Sequence, residues 1–269
     1  MPPSVSARIK ILMKHAQPRV LSRRRVQQLL AETKAVESAG ARMEEISRKF
    51  LRCPYTANLL VGSAETPEAF TVSLDEFDCV TYVETVLAFS QAATVDEFAD
   101  LMRRIRYEGG RIQWNRRNHY MSVWVRNNLR AGLVRKISAP VPNVSKDRIL
   151  DMVPGLPSFR MRFDCIPKGR LPRVSKRLKT GDLIFFASTR PHLDVFHCGI
   201  LVCNADRLLL RHASRSQGGV VEQELSEFLK KNRMAGVIVV RPVDLRASGR
   251  VAQEPSPAAS RHPLPRGEG

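Results

Sequence analysis

The sequence lacks any run of apolar residues long enough for a membrane-spanning helix, which needs about 20 of them. Acidic residues are also scarce, because 26 Asp and Glu oppose 44 Lys and Arg and leave a formal charge of +18. Aromatic residues make up only 6% of the chain. The apolar share is nevertheless 43%, which is typical of a chain that buries a core, so a wholly disordered protein is excluded.

Cysteine is too scarce for a scaffold held together by disulfides. The 269 residues contain five cysteines, and this odd number leaves at least one thiol unpaired within the chain. The N-terminal segment is basic but has no continuous apolar stretch, because Lys10 and Lys14 interrupt it. We therefore predict no export signal in the sequence as given, and the sequence leaves the localisation open.

The positive charge is concentrated in three blocks, which cover residues 1–30, 101–136 and 158–179. Such blocks attract nucleic acid, anionic membranes and acidic polymers through the same screened attraction. The blocks contain neither an aromatic stacking motif nor the cysteine and histidine spacing of a zinc finger. We therefore predict no dedicated nucleic-acid motif, and a solvated basic face is the simplest interpretation of each block.

Helix-forming residues dominate the N-terminal half of the chain, with apolar residues at helical spacing. Asp78 is a good N-cap residue, so the helix that follows it is predicted to hold Cys79 in its first turn. The predicted helices are one or two over 21–50, one from Cys79, and two over 94–106 and 119–133, with a break at Gly109-Gly110.

Short β-branched and aromatic runs dominate the C-terminal half, after a Pro- and Arg-rich stretch over 137–179 that predicts a long irregular connection. Helices followed by strands indicate an α+β fold with an antiparallel sheet. The predicted strands cover 182–187, 195–203, 207–213 and 236–241, with a short helix over 222–232.

Both ends of the chain are predicted to lie outside the folded domain. Residues 1–20 form a basic arm, and residues 246–269 are rich in Pro, Gly and Ser without large apolar residues. We predict that both are disordered, which leaves residues 21–245 as a single domain.

Cys79 is the predicted nucleophile, because a helix N-terminus lowers the pKa of a thiol. A nucleophile also needs a base and a group that orients the base. His197 and His212 lie at the same end of adjacent predicted strands, and an even number of residues in their connection places both on one face. We predict His197 as the base, His212 as the orienting group and the backbone N–H of Cys79 as an oxyanion donor.

Two other interpretations of these residues remain open. Cys79 could be a small core residue and the histidines ordinary strand residues, since free cysteine is often buried. A zinc site could use His197, Cys198, Cys203 and His212, but alternation along a strand points Cys198 away from His197. The sequence also has no CxxC or HxxxH pair, so zinc is disfavoured.

Six short motifs occur in order between residues 70 and 241: FDCVTYVE at 77–84, IRYEGG at 105–110, RNHY at 117–120, GDLI at 181–184, HCGI at 197–200 and HAS at 212–214. Together they resemble a bacterial family of NlpC-type, papain-like cell-wall hydrolases that is associated with N-acetylmuramoyl-L-alanine amidase activity. Val80 stands where the better-known NlpC pattern has serine, and this departure indicates the amidase-like subfamily.

The resemblance implies an α+β, papain-like core in which the nucleophile opens a helix packed on an antiparallel sheet, with extra helices at the N-terminus. It implies a triad of Cys79, His197 and His212. It also implies a substrate pocket lined by Arg117, Asn118 and His119.

The implied reaction is hydrolysis of the amide between N-acetylmuramic acid and L-Ala, in peptidoglycan or in muropeptides. This chemistry requires neither a metal nor another cofactor, and the family usually acts in the cell envelope. One alternative is a stem-peptide endopeptidase that uses the same residues. Another is a non-catalytic basic protein that binds cell-wall polymer or nucleic acid.

Overall fold

The computed structural model describes residues 22–137, 141–204 and 207–247, so the predicted arm at 1–20 and the tail beyond 247 lie outside it. The α-helices in these residues are α1 (Arg23–Glu32), α2 (Ala39–Lys49), α3 (Cys79–Gln91), α4 (Val95–Arg106), α5 (Met121–Arg130) and α6 (Leu225–Lys231). The strands are β1 (Val134–Lys136), β2 (Val144–Leu150), β3 (Phe159–Cys165), β4 (Leu183–Ala187), β5 (Val195–Asn204), β6 (Arg207–Ser214), β7 (Gly219–Glu224) and β8 (Gly236–Pro242).

Six of these strands form one sheet in the order β1-β8-β4-β5-β6-β7, and every neighbouring pair is antiparallel. The strands β2 and β3 form a separate antiparallel hairpin. This arrangement is an α+β fold with helices at the N-terminus and an antiparallel main sheet, as the sequence predicts.

Helix α3 packs on one face of the main sheet, where its apolar residues join Phe185, Ile200 and Ala213 in the larger core cluster. Helix α6 covers the opposite face, where Phe228 joins the smaller cluster. Successive side chains of a strand point to opposite faces of the sheet, and in the central strands the side chains on both faces are apolar. These strands are therefore buried on both sides.

Arg42 ties the N-terminal helices to the rest of the fold although its side chain is only 2% exposed. Its guanidinium donates hydrogen bonds to the carbonyl of Ser90 and to the carboxylate of Asp244, each at 2.6 Å. Arg246 also donates to the carbonyl of Phe89, at 3.3 Å, so the described fold extends to residue 247. A buried charge paired in this way fixes the position of α2 against α3.

The structure confirms most of the predicted helices. Two helices, α1 and α2, occupy the region 21–50, and α4 begins after Thr94, whose hydroxyl accepts the N–H of Glu97. Gly109 and Gly110 both have positive φ, at 61° and 67°, which a glycine pair allows and which separates α4 from α5.

Two sequence predictions are wrong. Residues 137–179 are not one irregular connection, since they contain β2, β3 and two short 3-10 helices. Residues 222–224 are not helical, since they pair with β6 as the end of β7, and α6 begins only at Leu225. Within the described residues, no helix is long and apolar enough to cross a membrane.

Candidate active site

Cys79 is the first residue of α3, and Asp78 caps this helix. The Asp78 carboxylate accepts the N–H groups of Val80 at 3.0 Å and Thr81 at 2.7 Å. The Thr81 hydroxyl accepts the N–H of Asp78 in return, at 3.0 Å, which completes a capping box. The cap fixes the helix start, so the position of the Cys79 side chain at the end of α3 is well defined.

His197 and His212 lie on one face of the sheet, as an even connection between their strands requires. Asn204 pairs with Arg207 and Ile200 with Arg211, so two residues connect β5 and β6, and positions 197 and 212 fall on the same face. A Cβ atom at position 199 would lie 2.7 Å from the carbonyl oxygen of Arg211, so only glycine fits there. His197 Nε2 lies 2.6 Å from His212 Nδ1, and the two rings meet edge to face.

His197 lies directly after a bulge in the sheet. Phe186 pairs with His197 whereas Ala187 pairs with Val195, so Phe196 is an extra residue in β5. Bulges redirect side chains and are common beside active sites. His197 stacks on Phe186, with the ring planes 17° apart, at the end of β5 that meets the start of α3.

The sulfur of Cys79 contacts two side chains of β5. The pKa of Cys79 lies well below its ordinary value of 9.0, because Cys198 and then His197 donate hydrogen bonds to this sulfur and His197 also attracts its charge. These donors outweigh burial, which by itself raises the pKa of a thiol. Cys79 is therefore a thiolate over a wider pH range than an ordinary cysteine.

Cys198 brings a second thiol into contact with the candidate nucleophile. Its sulfur lies 3.2 Å from the carbonyl oxygen of Cys79 and within hydrogen-bond reach of the Cys79 sulfur. The pKa of Cys198 is raised well above 9.0, because the thiol donates to Cys79 and because it is buried. Of the two cysteines, Cys79 therefore loses its proton at a lower pH than Cys198.

Cys79 and His197 open onto a cavity of about 190 Å³. Its lining is mainly apolar, and the other residues that contribute are Val80, His119, Tyr120, Met121, Met152, Val153, Leu193, Asp194, Val195, Phe196 and Cys198. A larger cavity of about 360 Å³ lies between α5, β3 and β8 and contains none of the predicted site residues.

Of the three residues predicted to line the pocket, only His119 lines the cavity at Cys79. Arg117 donates to both carboxylate oxygens of the buried Glu68, at 3.0 and 3.1 Å. The Asn118 amide donates to the carbonyl of Ile105 at 3.1 Å. Both side chains therefore hold the segment that carries His119, and their contact with a substrate stays a prediction.

His119 donates its Nε2–H to the carbonyl oxygen of Trp114 at 2.7 Å, since a carbonyl can only accept. Burial and the charge of Arg117 lower its pKa to about 4. At neutral pH the ring is therefore uncharged, and its Nδ1 is a hydrogen-bond acceptor.

Asp194 and Tyr120 also line the cavity, although neither is among the predicted site residues. The Asp194 carboxylate accepts the N–H of Ser122 at 2.6 Å and so caps α5, whose own N-cap residue makes no such bond. The Tyr120 hydroxyl accepts the N–H groups of Met152 and Val153, at 2.8 and 3.2 Å. The only sequence signals for these roles are a lone Asp before β5 and an uncapped helix start.

The zinc alternative finds no support in the geometry of the four residues that it needs. His197 and His212 are hydrogen bonded to each other, and Cys203 donates to the carbonyl of Leu178 at the far end of β5. Among the residues that the structure describes, no group of three or more His, Cys, Asp or Glu is placed to hold a metal ion.

Comparison with known proteins places the chain in a family. Residues 45–237 match the model of the AmiA-like family, described as N-acetylmuramoyl-L-alanine amidase-like. The chain belongs to this amidase-like family. Cys79, His197 and His212 all lie within the matched region. A search of curated proteins found no match.

Solved structures share the fold of this amidase-like chain. An N-acetylmuramoyl-L-alanine amidase from Bacteroides uniformis is 28% identical, with a TM-score of 0.67 over 76% of this chain and 99% of that one. A Bacteroides fragilis protein with a provisional xylanase name is also 28% identical, with a TM-score of 0.63 over 73% and 98%. A Legionella pneumophila protein of family DUF1460 is 20% identical, with a TM-score of 0.71 over 88% and 97%, and shows the shared fold alone.

Acidification is expected to destabilise this amidase-like fold through its buried neutral histidines. The pKa of His119 is lowered from 6.5 to about 4 and that of His212 from 6.5 to about 3, mainly by burial. Below pH 6.5 the unfolded chain therefore binds more protons than the folded chain. The free energy of unfolding that depends on these neutral histidines is fully present above pH 6.5 and is lost as the pH falls towards 4. Asp78 acts in the opposite direction, because burial raises its pKa to about 6 and its protonation favours the fold.

Urea unfolding of the wild type and His119→Gln at pH 7.0 and pH 4.5 measures this effect. Glutamine keeps a donor for the Trp114 carbonyl but does not titrate, so the loss of stability between the two pH values should shrink by about 1–2 kcal/mol. Equal losses in both proteins would show that His119 is not held neutral.

Hydrogen peroxide is expected to join Cys79 to Cys198. The Cys79 thiolate attacks one peroxide oxygen and expels hydroxide, which gives a sulfenic acid, and the Cys198 sulfur then displaces the hydroxyl as water to form a disulfide. Mass spectrometry without reductant should find the 79–198 cross-link with two hydrogens lost, and dithiothreitol should reverse it. In Cys198→Ala, Cys79 should oxidise further to the sulfinic acid, whereas Cys203→Ala should behave as wild type.

Proposed function

We propose that this chain is a cysteine hydrolase that cleaves the amide between N-acetylmuramic acid and L-Ala in peptidoglycan or in muropeptides. The observation that carries the proposal is the contact of the Cys79 sulfur with His197, whose ring lies 2.6 Å from the ring of His212. A thiolate, a base and an orienting group in this order are what acyl transfer by a cysteine requires. Membership of the amidase-like family supports the substrate class.

In the first step, the Cys79 thiolate attacks the lactyl carbonyl carbon of the muramic acid. The charge on the carbonyl oxygen is met by the backbone N–H of Cys79, since Asp78 caps the next two N–H groups instead. His197 then gives a proton to the nitrogen of L-Ala, the carbon–nitrogen bond breaks, and the stem peptide leaves as a free amine. The muramic acid remains bound to Cys79 as a thioester.

In the second step, water hydrolyses the thioester. His197 is now neutral and takes a proton from the water, whose oxygen attacks the carbonyl carbon. The carbon–sulfur bond breaks, the free lactyl acid is released, and Cys79 returns as a thiolate beside protonated His197. His212 holds the His197 ring in place through both steps.

The arrangement of α3 on the antiparallel sheet supports a papain-like core. The nucleophile opens the helix, and the two histidines come from adjacent strands, β5 and β6. The cavity at Cys79 supplies a mainly apolar pocket, in which the Nδ1 atom of His119 accepts an N–H group of the bound substrate. The formal charge of +18 favours stem peptides, because these carry several carboxylates.

Incubation with defined muropeptides, followed by mass spectrometry of the products, tests the proposal. The wild type should release a muramic-acid saccharide and an intact stem peptide, and Cys79→Ala should release neither. Cys203→Ala is the matched control, because it removes an exposed thiol and should leave the products unchanged.

The other outcomes of this experiment identify the alternatives. Cleavage within the stem peptide would replace the amidase proposal with an endopeptidase of the same fold. Absence of cleavage under reducing conditions, with salt-dependent retention on peptidoglycan or DNA, would replace it with a basic binding protein.

A further inference from the structure

The hydrogen-bonded chain that starts at Cys79 continues beyond His212. Gln223 Nε2, on β7, lies 2.7 Å from His212 Nε2, and His212 Nδ1 lies 2.6 Å from His197 Nε2. We propose that Gln223 is a positioning residue, which selects the nitrogen of His212 that carries the proton and so sets the hydrogen bond that His212 makes to His197. This inference rests on the proposed function.

His212 has one proton to place on two nitrogens. Burial and the charge of His197 lower the pKa of His212 to about 3, so its ring is neutral near pH 7. In a neutral imidazole one nitrogen donates and the other accepts. The partner at Nε2 therefore determines whether Nδ1 donates to His197 or accepts from it.

An amide side chain is suited to this position because it carries a donor and an acceptor at the same end. With its NH₂ group towards His212, Gln223 donates to Nε2, and His212 Nδ1–H then donates to His197. With its carbonyl oxygen towards His212, Gln223 accepts from Nε2–H, and His212 Nδ1 then accepts from His197.

Only the second arrangement allows His197 to carry a proton on both nitrogens, as it must when it protonates the leaving amine. His197 then donates from Nδ1 towards the Cys79 sulfur and from Nε2 towards His212. A half-turn of the Gln223 amide converts one arrangement into the other without a change of shape, so a single residue serves the charged and the neutral state of His197.

The polar contact to His212 Nε2 comes from Gln223 on β7, whereas the other neighbours of the two rings include an aromatic side chain. Phe228 on α6 packs against His197 and His212, with ring centroids 5.5 and 5.4 Å apart respectively. Gln223 lies opposite Leu210, one alternation away from His212 on the same face of the sheet. The titratable groups that act on this row of hydrogen bonds include Cys79 and Glu84 on α3, Cys198 on β5, Asp78 at the N-cap of α3, and Tyr55.

Two substitutions of Gln223 separate its hydrogen bonding from its bulk. Gln223→Met keeps the length but cannot donate and accepts only weakly, and it should lower kcat on a muropeptide about 10–100-fold with little change in KM. Gln223→Glu has the same shape and only accepts, so it should keep activity within a few fold near pH 8. Gln28→Met, on the exposed side of α1, is the matched control and should behave as wild type.

The pH profile distinguishes positioning from packing. A carboxylate beside His212 raises the pKa of this ring, and a second proton on Nδ1 then competes with the proton that His197 donates. The acid limb of the Gln223→Glu profile should therefore move to higher pH, while the alkaline limb stays. A merely structural contribution of Gln223 would scale the whole profile without moving either limb.

Alkylation of Cys79 by iodoacetamide provides a readout that needs no substrate. The pH midpoint of alkylation should rise in Gln223→Met, because His197 is then less well held against the thiolate. If wild type cleaves no muropeptide, the proposed function fails, and alkylation still decides the contribution of Gln223. The inference would be overturned if both variants fold and show the same alkylation midpoint and the same pH profile as the wild type. If Gln223→Met does not fold, the isosteric Gln223→Glu alone decides the question.

Discussion

Cys79→Ser is expected to lower kcat/KM on a muropeptide by about 10⁴-fold or more, the usual cost of removing a nucleophile. A serine hydroxyl at this position has a far higher pKa than the thiol. The hydrogen bonds from Cys198 and His197 lower the pKa of the Cys79 thiol and stabilise its thiolate, but they cannot ionise a hydroxyl. Steady-state kinetics with a defined muropeptide measure the effect.

The controls for this prediction separate chemistry from folding. The free energy of unfolding of Cys79→Ser, measured in urea, should lie within about 0.5 kcal/mol of the wild-type value, since the two side chains differ little in size. His197→Ala should abolish turnover as Cys79→Ser does, and His212→Ala should reduce it less, because His212 acts through His197. A Cys79→Ser protein as active as the wild type would exclude the proposed mechanism.

The start of α3 is the part of the site that the sequence predicts best. Asp78 followed by an apolar helical pattern is a local signal, and a helix N-terminus depends on residues only three or four positions apart. The structure places Cys79 at that start with the predicted cap. The pairing of His197 with His212 is also predictable, since it requires only two neighbouring strands and an even connection.

Cys198 and Gln223 could not be assigned from the sequence in the same way. Alternation along β5 correctly places Cys198 on the face opposite His197, but it does not reveal that α3 brings Cys79 to both residues. Gln223 lies in a segment whose Glu-rich composition favours a helix, and its pairing with β6 overrides that local preference. Both roles depend on contacts between elements distant in the chain.

The sequence of β3 alternates between apolar and polar residues, as a half-buried strand does, but its many charged residues suggested an irregular connection instead. Phe159, Met161, Phe163 and Cys165 alternate with polar residues, and the apolar set is the buried one. Their basic neighbours made the region resemble a solvated connection, although a half-buried strand exposes every second residue to water. Period-two alternation is therefore a better guide here than the density of Arg and Pro.

Arg106→Met is expected to lower the free energy of unfolding by about 3–5 kcal/mol, because it leaves a buried carboxylate without its counter-charge. Arg106 and Glu84 are only 1% and 2% exposed, and the Arg106 Nε–H donates to Glu84 at 2.7 Å. Its Nη1 also donates to the carbonyl of Thr71 at 2.5 Å. Without Arg106, the indole N–H of Trp124, at 3.3 Å, is the remaining described donor to Glu84.

Urea unfolding of Arg106→Met, of Glu84→Leu and of the double variant tests this account of the buried pair. Each single variant leaves one charge unpaired, whereas the double variant removes both, so it should be more stable than Arg106→Met alone. Arg130→Met, at an exposed position on α5, is the matched control and should change stability by less than about 0.5 kcal/mol. Glu84 lies on the same helix as Cys79. A loss of less than 1 kcal/mol in Arg106→Met would therefore mean that the buried pair contributes little to holding α3 in place.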